Sequence, residues 1–274
     1  MAADENKTIG FVGGGNMAEA LVKGLCREPG AGERITVAEP VEARRADLES
    51  RYGISASADN ADAASRDIVV LAVKPQVMDA VLEGLAGSVS GQQVVVSIAA
   101  GVTIDRLESG LGAGVRVVRV MPNTPCLVGR GASVLCAGSA ADDTDLARAR
   151  DLFAAVGSAS TVDSETLMDA VTGLSGSGPA YVYRFAEALI AGGVAAGLDE
   201  DLASALVFET IAGAAQMLIS TGQSPAALRE AVSSPGGTTL AGLGALDERG
   251  FAEAVEAAVS AATARSRELG RAGS

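Results

Sequence analysis

The six residues Gly13-Gly14-Gly15-Asn16-Met17-Ala18 carry the most legible chemistry in this chain of 274 residues. A short apolar run, Ile9 to Val12, precedes them, and an amphipathic pattern with Met17, Leu21 and Leu25 on one face follows. G-x-G-x-x-A between a strand and a helix is the turn that holds a dinucleotide pyrophosphate. Gly13 allows the chain to leave the strand sharply. Gly15 lets backbone approach a phosphate without an intervening side chain. Ala18 lets the helix pack closely on the strand. The helix start contributes unpaired N–H groups and its positive dipole end. The competing reading is a glycine-rich loop with no ligand.

Three further clusters could meet a ligand. Val232-Ser233-Ser234-Pro235-Gly236-Gly237-Thr238-Thr239 places successive amides before a helix, an arrangement suited to a small carboxylate. Hydroxyls from Ser234, Thr238 and Thr239 could add hydrogen bonds or a proton. Thr172-Gly173-Leu174-Ser175-Gly176-Ser177-Gly178-Pro179 holds three glycines and two serines after its threonine. It predicts a helix start, with Ser177 as N-cap and Pro179 early in the helix. Met121 to Pro125 forms a loop at a strand end. Glu39 falls 24 residues past Gly15, where an acidic side chain can bind the adenosine ribose diol, while Arg44 and Arg45 could meet a 2′-phosphate. Both readings of the cofactor stay open at this point.

Absences narrow the chemistry. The chain has no histidine, and its only lysines are Lys7, Lys23 and Lys74. That excludes His-based triads, His–Asp dyads and nearly all catalytic zinc sites, and it excludes a lysine acid or base in the second half. No metal site is expected. Cys26, Cys126 and Cys136 form no C-x-x-C pair, so reduced thiols in a cytoplasmic setting are the default. The net charge of −13 argues against a nucleic-acid partner. The acidic start MAADENKTIG carries no apolar signal region, and Glu187 and Glu209 interrupt the apolar stretches of the second half, so no membrane span is expected.

These residues need a scaffold. Strands are predicted at 9–12, 34–39, 67–73, 93–98, 115–121, 132–136 and 158–162, with helices after Pro40 and Pro75 and at 145–153. The helix after Pro75 is expected to carry Val77, Val81, Leu82 and Leu85 inward. Strand and helix alternate to about residue 163, which predicts a doubly wound α/β sheet of the Rossmann type. From Glu165 onward Ala- and Leu-rich patterns predict helices at 165–173, 179–196, 200–219, 224–231, 237–247 and 250–269. The expected organisation is therefore a nucleotide-binding domain over 1–163 and an all-α domain over 164–274. Hydrophobic residues make up 48% of the chain, and a helical piece this apolar is expected to bury a face against a second copy.

Six segments taken together resemble the pyrroline-5-carboxylate reductases. They are FVGGGNMAEAL near the start, LAVKPQ at 71–76, SIAAGVTI at 97–104, RVMPNTPCLVGRGA at 119–132, DAVTGLSGSGPAYVY at 169–183 and VSSPGGTTLAGLGALDERGF at 232–251. The resemblance covers nearly the whole chain. It implies reduction of the cyclic imine 1-pyrroline-5-carboxylate to L-proline, the last step of proline biosynthesis, with NADPH or NADH as hydride donor. It implies that Val12, Gly13, Gly14, Gly15, Asn16 and Met17 hold the pyrophosphate, and that Ala38, Glu39 and Pro40 sit by the adenosine ribose. It adds Asn60 as a further cofactor contact, and places Ala72, Val73, Lys74 and Pro75 with Ile98, Ala99 and Ala100 beside the nicotinamide. Glu165, Ser234, Gly237, Thr238 and Thr239 are the implied substrate residues, with Thr239 the implied catalytic group. The resemblance further implies a homodimer through the helical domain, with a decamer of dimers as a larger assembly. Ala231 stands where some relatives carry an amide that reaches the cofactor.

Two other readings compete. Hydroxyacid dehydrogenases of the wider superfamily place a lysine on the helix after the second glycine cluster, where this chain reads Pro179-Ala180-Tyr181-Val182-Tyr183-Arg184. That leaves a related cyclic imine reductase as the enzymatic alternative. A nucleotide-binding regulator without turnover is the alternative of another class, and the Ser-Pro-Gly-Gly-Thr-Thr loop argues against it.

Overall fold

The computed structural model describes residues 7–272. The acidic start read for a secretory signal lies mostly outside them, at residues 1–6. The described chain divides into two compact units, 7–177 with 260–272, and Gly178–Val259.

The first unit is an eight-stranded sheet in the order β3-β2-β1-β4-β5-β6-β7-β8. Its strands are β1 (Ile9–Val12), β2 (Ile35–Ala38), β3 (Ser55–Ser57), β4 (Ile68–Leu71), β5 (Val94–Ser97), β6 (Arg116–Met121), β7 (Gly131–Ala137) and β8 (Gly157–Thr161). All neighbours run parallel except β6 and β7. β1 and β4 are apolar at every position because both sheet faces are covered. β4 shows the consequence of the two-residue pleat. Ile68 and Val70 join one core with Phe11, Leu21, Ile35 and Phe153, whereas Val69 and Leu71 join another with Met78, Leu82 and Leu107.

Helices α1 (Asn16–Leu25), α2 (Glu42–Tyr52), α3 (Asn60–Ala64), α4 (Met78–Leu85), α5 (Ile104–Leu111) and α6 (Asp143–Ala154) connect these strands. Two helix starts differ from the sequence expectation. Pro40 does not open α2; Val41 is its N-cap, in extended backbone, and the helix begins at Glu42. Pro75 opens a single 3-10 turn, Pro75–Val77, before α4. Val77 is consequently 49% exposed, and Met78 takes the inward place expected of it.

At the base of β1 the side chain of Asp67 accepts hydrogen bonds from the Thr8 amide and hydroxyl, both 2.9 Å, and from Lys7 Nζ at 3.2 Å. The Thr8 amide does most to lower the Asp67 pKa; burial opposes it, and the Thr8 hydroxyl and Lys7 reinforce it. With the folded pKa below the unfolded one, this contribution to stability is present above the unfolded value of about 3.9. It is lost as pH falls through the folded value. Asp67→Asn is therefore expected to flatten the fall of Tm between about pH 5 and pH 3. Superimposable acid limbs for the variant and its parent would contradict this.

Beyond β8 the chain forms a 3-10 turn (Glu165–Leu167), the short helix α7 (Met168–Val171) and a π turn (Thr172–Gly176). The expected N-cap at Ser177 is not found. Ser177 has helical backbone, φ −84° and ψ −19°, and its N–H reaches Thr172 O at 2.8 Å, five residues back. The Ser175 and Thr172 hydroxyls each donate to a carbonyl four residues earlier. The glycines and serines thus loosen the helical path into a wider turn, and the next helix starts directly after it at Gly178, with Pro179 in its first turn as expected.

The second unit contains α8 (Gly178–Ala195), α9 (Glu200–Thr221), α10 (Pro225–Ala231), α11 (Thr238–Glu248) and the opening of α12 (Phe251–Ala272). A Cβ on Gly193 would lie 3.3 Å from the Ala203 methyl, so small residues do bring α8 and α9 close together. Ala186 and Ala203 are their only buried residues, while Leu206, Phe208, Met217 and Ile219 are more than half exposed. α9 is also the one helix among the described residues long and apolar enough to cross a membrane by length and composition. Glu209, expected to interrupt this stretch, is outweighed by the apolar residues around it.

Candidate active site

The glycine turn sits where the sheet reverses direction, with β1 flanked by β2 on one side and β4 on the other. Such switch points open a crevice at the carboxyl ends of the strands. Gly13, at φ +99°, donates to Ala38 O at 2.8 Å, and Ala72 N donates to Val12 O at 2.8 Å. A Cβ on Gly13 would fall 2.8 Å from Ala72 O, so the three strand ends meet at a residue that has to be glycine. Gly15 O accepts from Glu19 N at 2.9 Å and starts α1. A Cβ on Gly15 would meet nothing within 4 Å. The open space over Gly15, beside the first amides of a helix, fits a pyrophosphate.

The surrounding residues fall where a dinucleotide would extend. Ala38, Glu39 and Pro40 end β2, and Asn60 opens α3, capped by Asp59. Ala72 to Pro75 follow β4, and Ile98 to Ala100 follow β5. Asn16, Lys74 and Ala100 are exposed, Met17 is half-buried and Val12 is buried. The Glu39 carboxylate accepts from the Gly14 amide and the Val41 amide, each at 3.0 Å. Arg44 Nε donates to Gly14 O at 2.9 Å, and its two other nitrogens bond Glu19 at 2.6 Å and Asp47 at 3.0 Å. Burial alone would raise the Glu19 pKa; hydrogen bonds from Arg44 and Tyr52 and the charges of Arg44 and Arg51 outweigh it and leave the pKa lowered.

The strand-end loop Met121 to Pro125 is tied to the π turn. Asn123 Nδ2 donates to Ser175 O at 3.1 Å, and its Oδ1 accepts from Ala132 N at 2.8 Å. Two sequence clusters, read separately, are therefore one assembly. Glu165 belongs to the same unit. It accepts from Ile104 N at 2.7 Å and from Arg119 at 2.6 Å, inside a cleft of about 370 Å³ lined also by Thr103, Asp169 and Arg267. Arg119, only 5% exposed, was not singled out from the sequence. The available signal was a charge within the apolar strand VRVVRVM. A larger cavity of about 460 Å³ opens at the opposite strand ends, by Ile9, Ile35 and Ile68. The glycine turn, not that cavity, has the chemistry of a nucleotide site.

In the second unit Ser234, Gly237, Thr238 and Thr239 surround the start of α11. Gly236 has φ +69°, and Gly237 N donates to Ser234 O at 2.9 Å. A Cβ on Gly237 would lie 3.0 Å from that same oxygen. Gly237 is also the N-cap and has no side chain to cover the amides of Thr238 and Thr239. Those amides have no acceptor within the helix, which suits them to an anion. Among the described residues no group of three or more His, Cys, Asp or Glu could hold a metal ion.

The pyrroline-5-carboxylate reductase of Synechocystis is 45% identical over 265 residues, covering 96% of this chain and 98% of its own length. The chain belongs to the pyrroline-5-carboxylate reductase family. The reductase of Methanosarcina acetivorans is 43% identical over 272 residues, with 97% and 99% of the two chains covered. Among solved structures, the reductase of Coxiella burnetii matches with a TM-score of 0.92 at 38% identity, covering 96% of this chain and 98% of that one. That of Plasmodium falciparum, with NADP bound, matches with a TM-score of 0.85 at 35% identity, covering 97% and 99%. Residues 165–269 match the family model for pyrroline-5-carboxylate reductase dimerisation, and residues 8–101 match that for coenzyme F420-dependent NADP oxidoreductases. For this reductase family member, self-association follows from the first of those matches.

Proposed function

We propose that this protein reduces 1-pyrroline-5-carboxylate to L-proline, the closing step of proline biosynthesis, with NADPH as hydride donor and NADH as an alternative. The observation that carries this is the joint presence, in a chain alike over 96% of its length to such a reductase, of an unobstructed glycine turn and an uncapped α11 start. NAD(P)H supplies the hydride. Val12 to Met17 hold the pyrophosphate, Ala38 to Pro40 and Asn60 the adenosine end, and Ala72 to Pro75 with Ile98 to Ala100 the nicotinamide end. The Thr238 and Thr239 amides with Ser234 and Gly237 hold the substrate carboxylate, and Glu165 contributes a further substrate contact. A protonated imine already accepts hydride readily, so holding the two partners in register supplies most of the acceleration. This agrees with a chain that has no histidine and no lysine beyond Lys74.

The division of labour proposed here runs near residue 163, with nucleotide binding before it and substrate binding and dimerisation after it. Dimerisation through the helical region, with a decamer of dimers as the larger assembly, is supported by the exposed Leu206, Phe208, Met217 and Ile219 of α9. Sedimentation of the purified protein as a monomer would exclude it. That face is read as a contact between copies, not a membrane span. A cytoplasmic location is supported by Cys26, Cys126 and Cys136, all three free. No nucleic-acid partner is proposed for a chain of charge −13.

The test is oxidation of NADPH and NADH at 340 nm with and without 1-pyrroline-5-carboxylate, with proline measured as product. Substrate-dependent oxidation with equimolar proline is expected. Nucleotide binding without consumption would favour the regulator, and consumption only with another ring would favour a different cyclic imine. Thr239→Ala is expected to lower kcat about tenfold, the worth of one hydrogen bond, with nucleotide affinity unchanged. Full turnover in that variant would remove Thr239 from the catalytic role.

A further inference from the structure

The adjacent arginines on α2 are not equivalent. Arg44 is fully engaged: Nε on Gly14 O, one terminal nitrogen on Glu19 and the other on Asp47. Glu19 is itself held by Tyr52 and Arg51. Arg44 is thus a strut between the glycine turn, α1 and α2, and freeing its guanidinium would break three contacts. Arg45 is anchored by one nitrogen only, which donates to Glu39 O at 2.7 Å and to Pro40 O at 2.9 Å. Its Nε and remaining terminal nitrogen make no hydrogen bond among the described residues. Those two backbone contacts fix the guanidinium at the carboxyl end of β2, beside the residue whose carboxylate caps Gly14.

Glu39 and Arg45 therefore present opposite charges at one strand end. A carboxylate there accepts from the paired ribose hydroxyls of NADH and repels the 2′-phosphate of NADPH. A guanidinium with two free donors does the reverse, since a phosphate takes a bidentate pair. We propose that Arg45, not Arg44, reads the 2′-phosphate, and that the balance between Arg45 and Glu39 sets the choice between NADPH and NADH. Arg44 supports the turn for either nucleotide. This rests on the reading of the glycine turn as an NAD(P)H site, but not on which imine is reduced.

The experiment measures dissociation constants of NADPH and NADH by nicotinamide fluorescence, without substrate, so reductase activity plays no part. Arg45→Ala is expected to weaken NADPH about tenfold, as loss of a charge-assisted contact does, and NADH less than twofold. Arg45→Lys should restore part of the NADPH affinity by returning the charge. Glu39→Gln, which keeps an acceptor for the Gly14 amide, should tighten NADPH several-fold and weaken NADH slightly. Arg44→Met should weaken both nucleotides in the same ratio. The proposal is overturned if Arg45→Ala shifts the two nucleotides equally or not at all, or if Arg44→Met selectively loses NADPH. A parent protein that binds neither nucleotide would overturn the NAD(P)H reading itself, and this inference with it.

Discussion

Gly15→Leu is expected to remove nucleotide binding while leaving the free protein as stable as its parent. The backbone at Gly15 lies at φ −71° and ψ −177°, ordinary extended geometry for any residue, and its Cβ direction is empty to 4 Å. Nothing in the folded chain needs a glycine there. A leucine would fill the space over the first amides of α1, where a pyrophosphate has to approach backbone. Affinity for NADPH should fall at least about a hundredfold. In a thermal melt the parent should gain roughly 5–10 °C at a hundredfold excess of NADPH over its Kd, and the variant almost nothing. Without nucleotide the two midpoints should agree within about 2 °C. A variant that still gains stability from NADPH would show that the phosphates lie elsewhere.

Gly10→Ala, five residues earlier, is expected to behave in the opposite way. Its Cβ would fall 1.9 Å from Ala63 O, 2.6 Å from the same carbonyl carbon and 2.9 Å from Ala63 Cα. All three are backbone atoms of α3. β1 cannot yield, because Gly10 is in register with Thr36 on one side and Val69 on the other. Overpacking against atoms that cannot rotate away should cost about 3 kcal/mol or more. That corresponds to a fall in Tm of roughly 6–12 °C for a domain of this size. A drop of under about 2 °C would mean that α3 can slide off the sheet freely.

The central strands were legible because a strand covered on both faces reads as a near-continuous apolar run, as Val69 and Val70 show by entering different cores. β3, α3 and α5 were missed. Ser55-Ala56-Ser57 is a polar edge strand with no such run, and α3 has only five residues. The glycine turn was legible because its geometry is local: Gly13 needs positive φ and Gly15 needs space. The π turn was not, since its glycines and serines resemble a cap, and its partner Asn123 lies 52 residues away. For the same reason the split between Arg44 and Arg45 could not be read. Adjacent letters of one type acquire different tasks only once Glu19, Asp47 and the β2 carbonyls surround them.

α12 begins in the helical unit, yet its residues from 260 onward belong with the sheet unit, where Ser266 Oγ donates to Asp169 at 2.7 Å across 97 residues of sequence. The sheet unit is therefore completed by residues that follow the whole helical unit in sequence. Its strands can pair during synthesis, but the cleft holding Glu165 and Arg267 closes only after the intervening helices have been made. Removal of residues 260–272 would accordingly injure the sheet unit, whose strands all precede the helical unit in sequence.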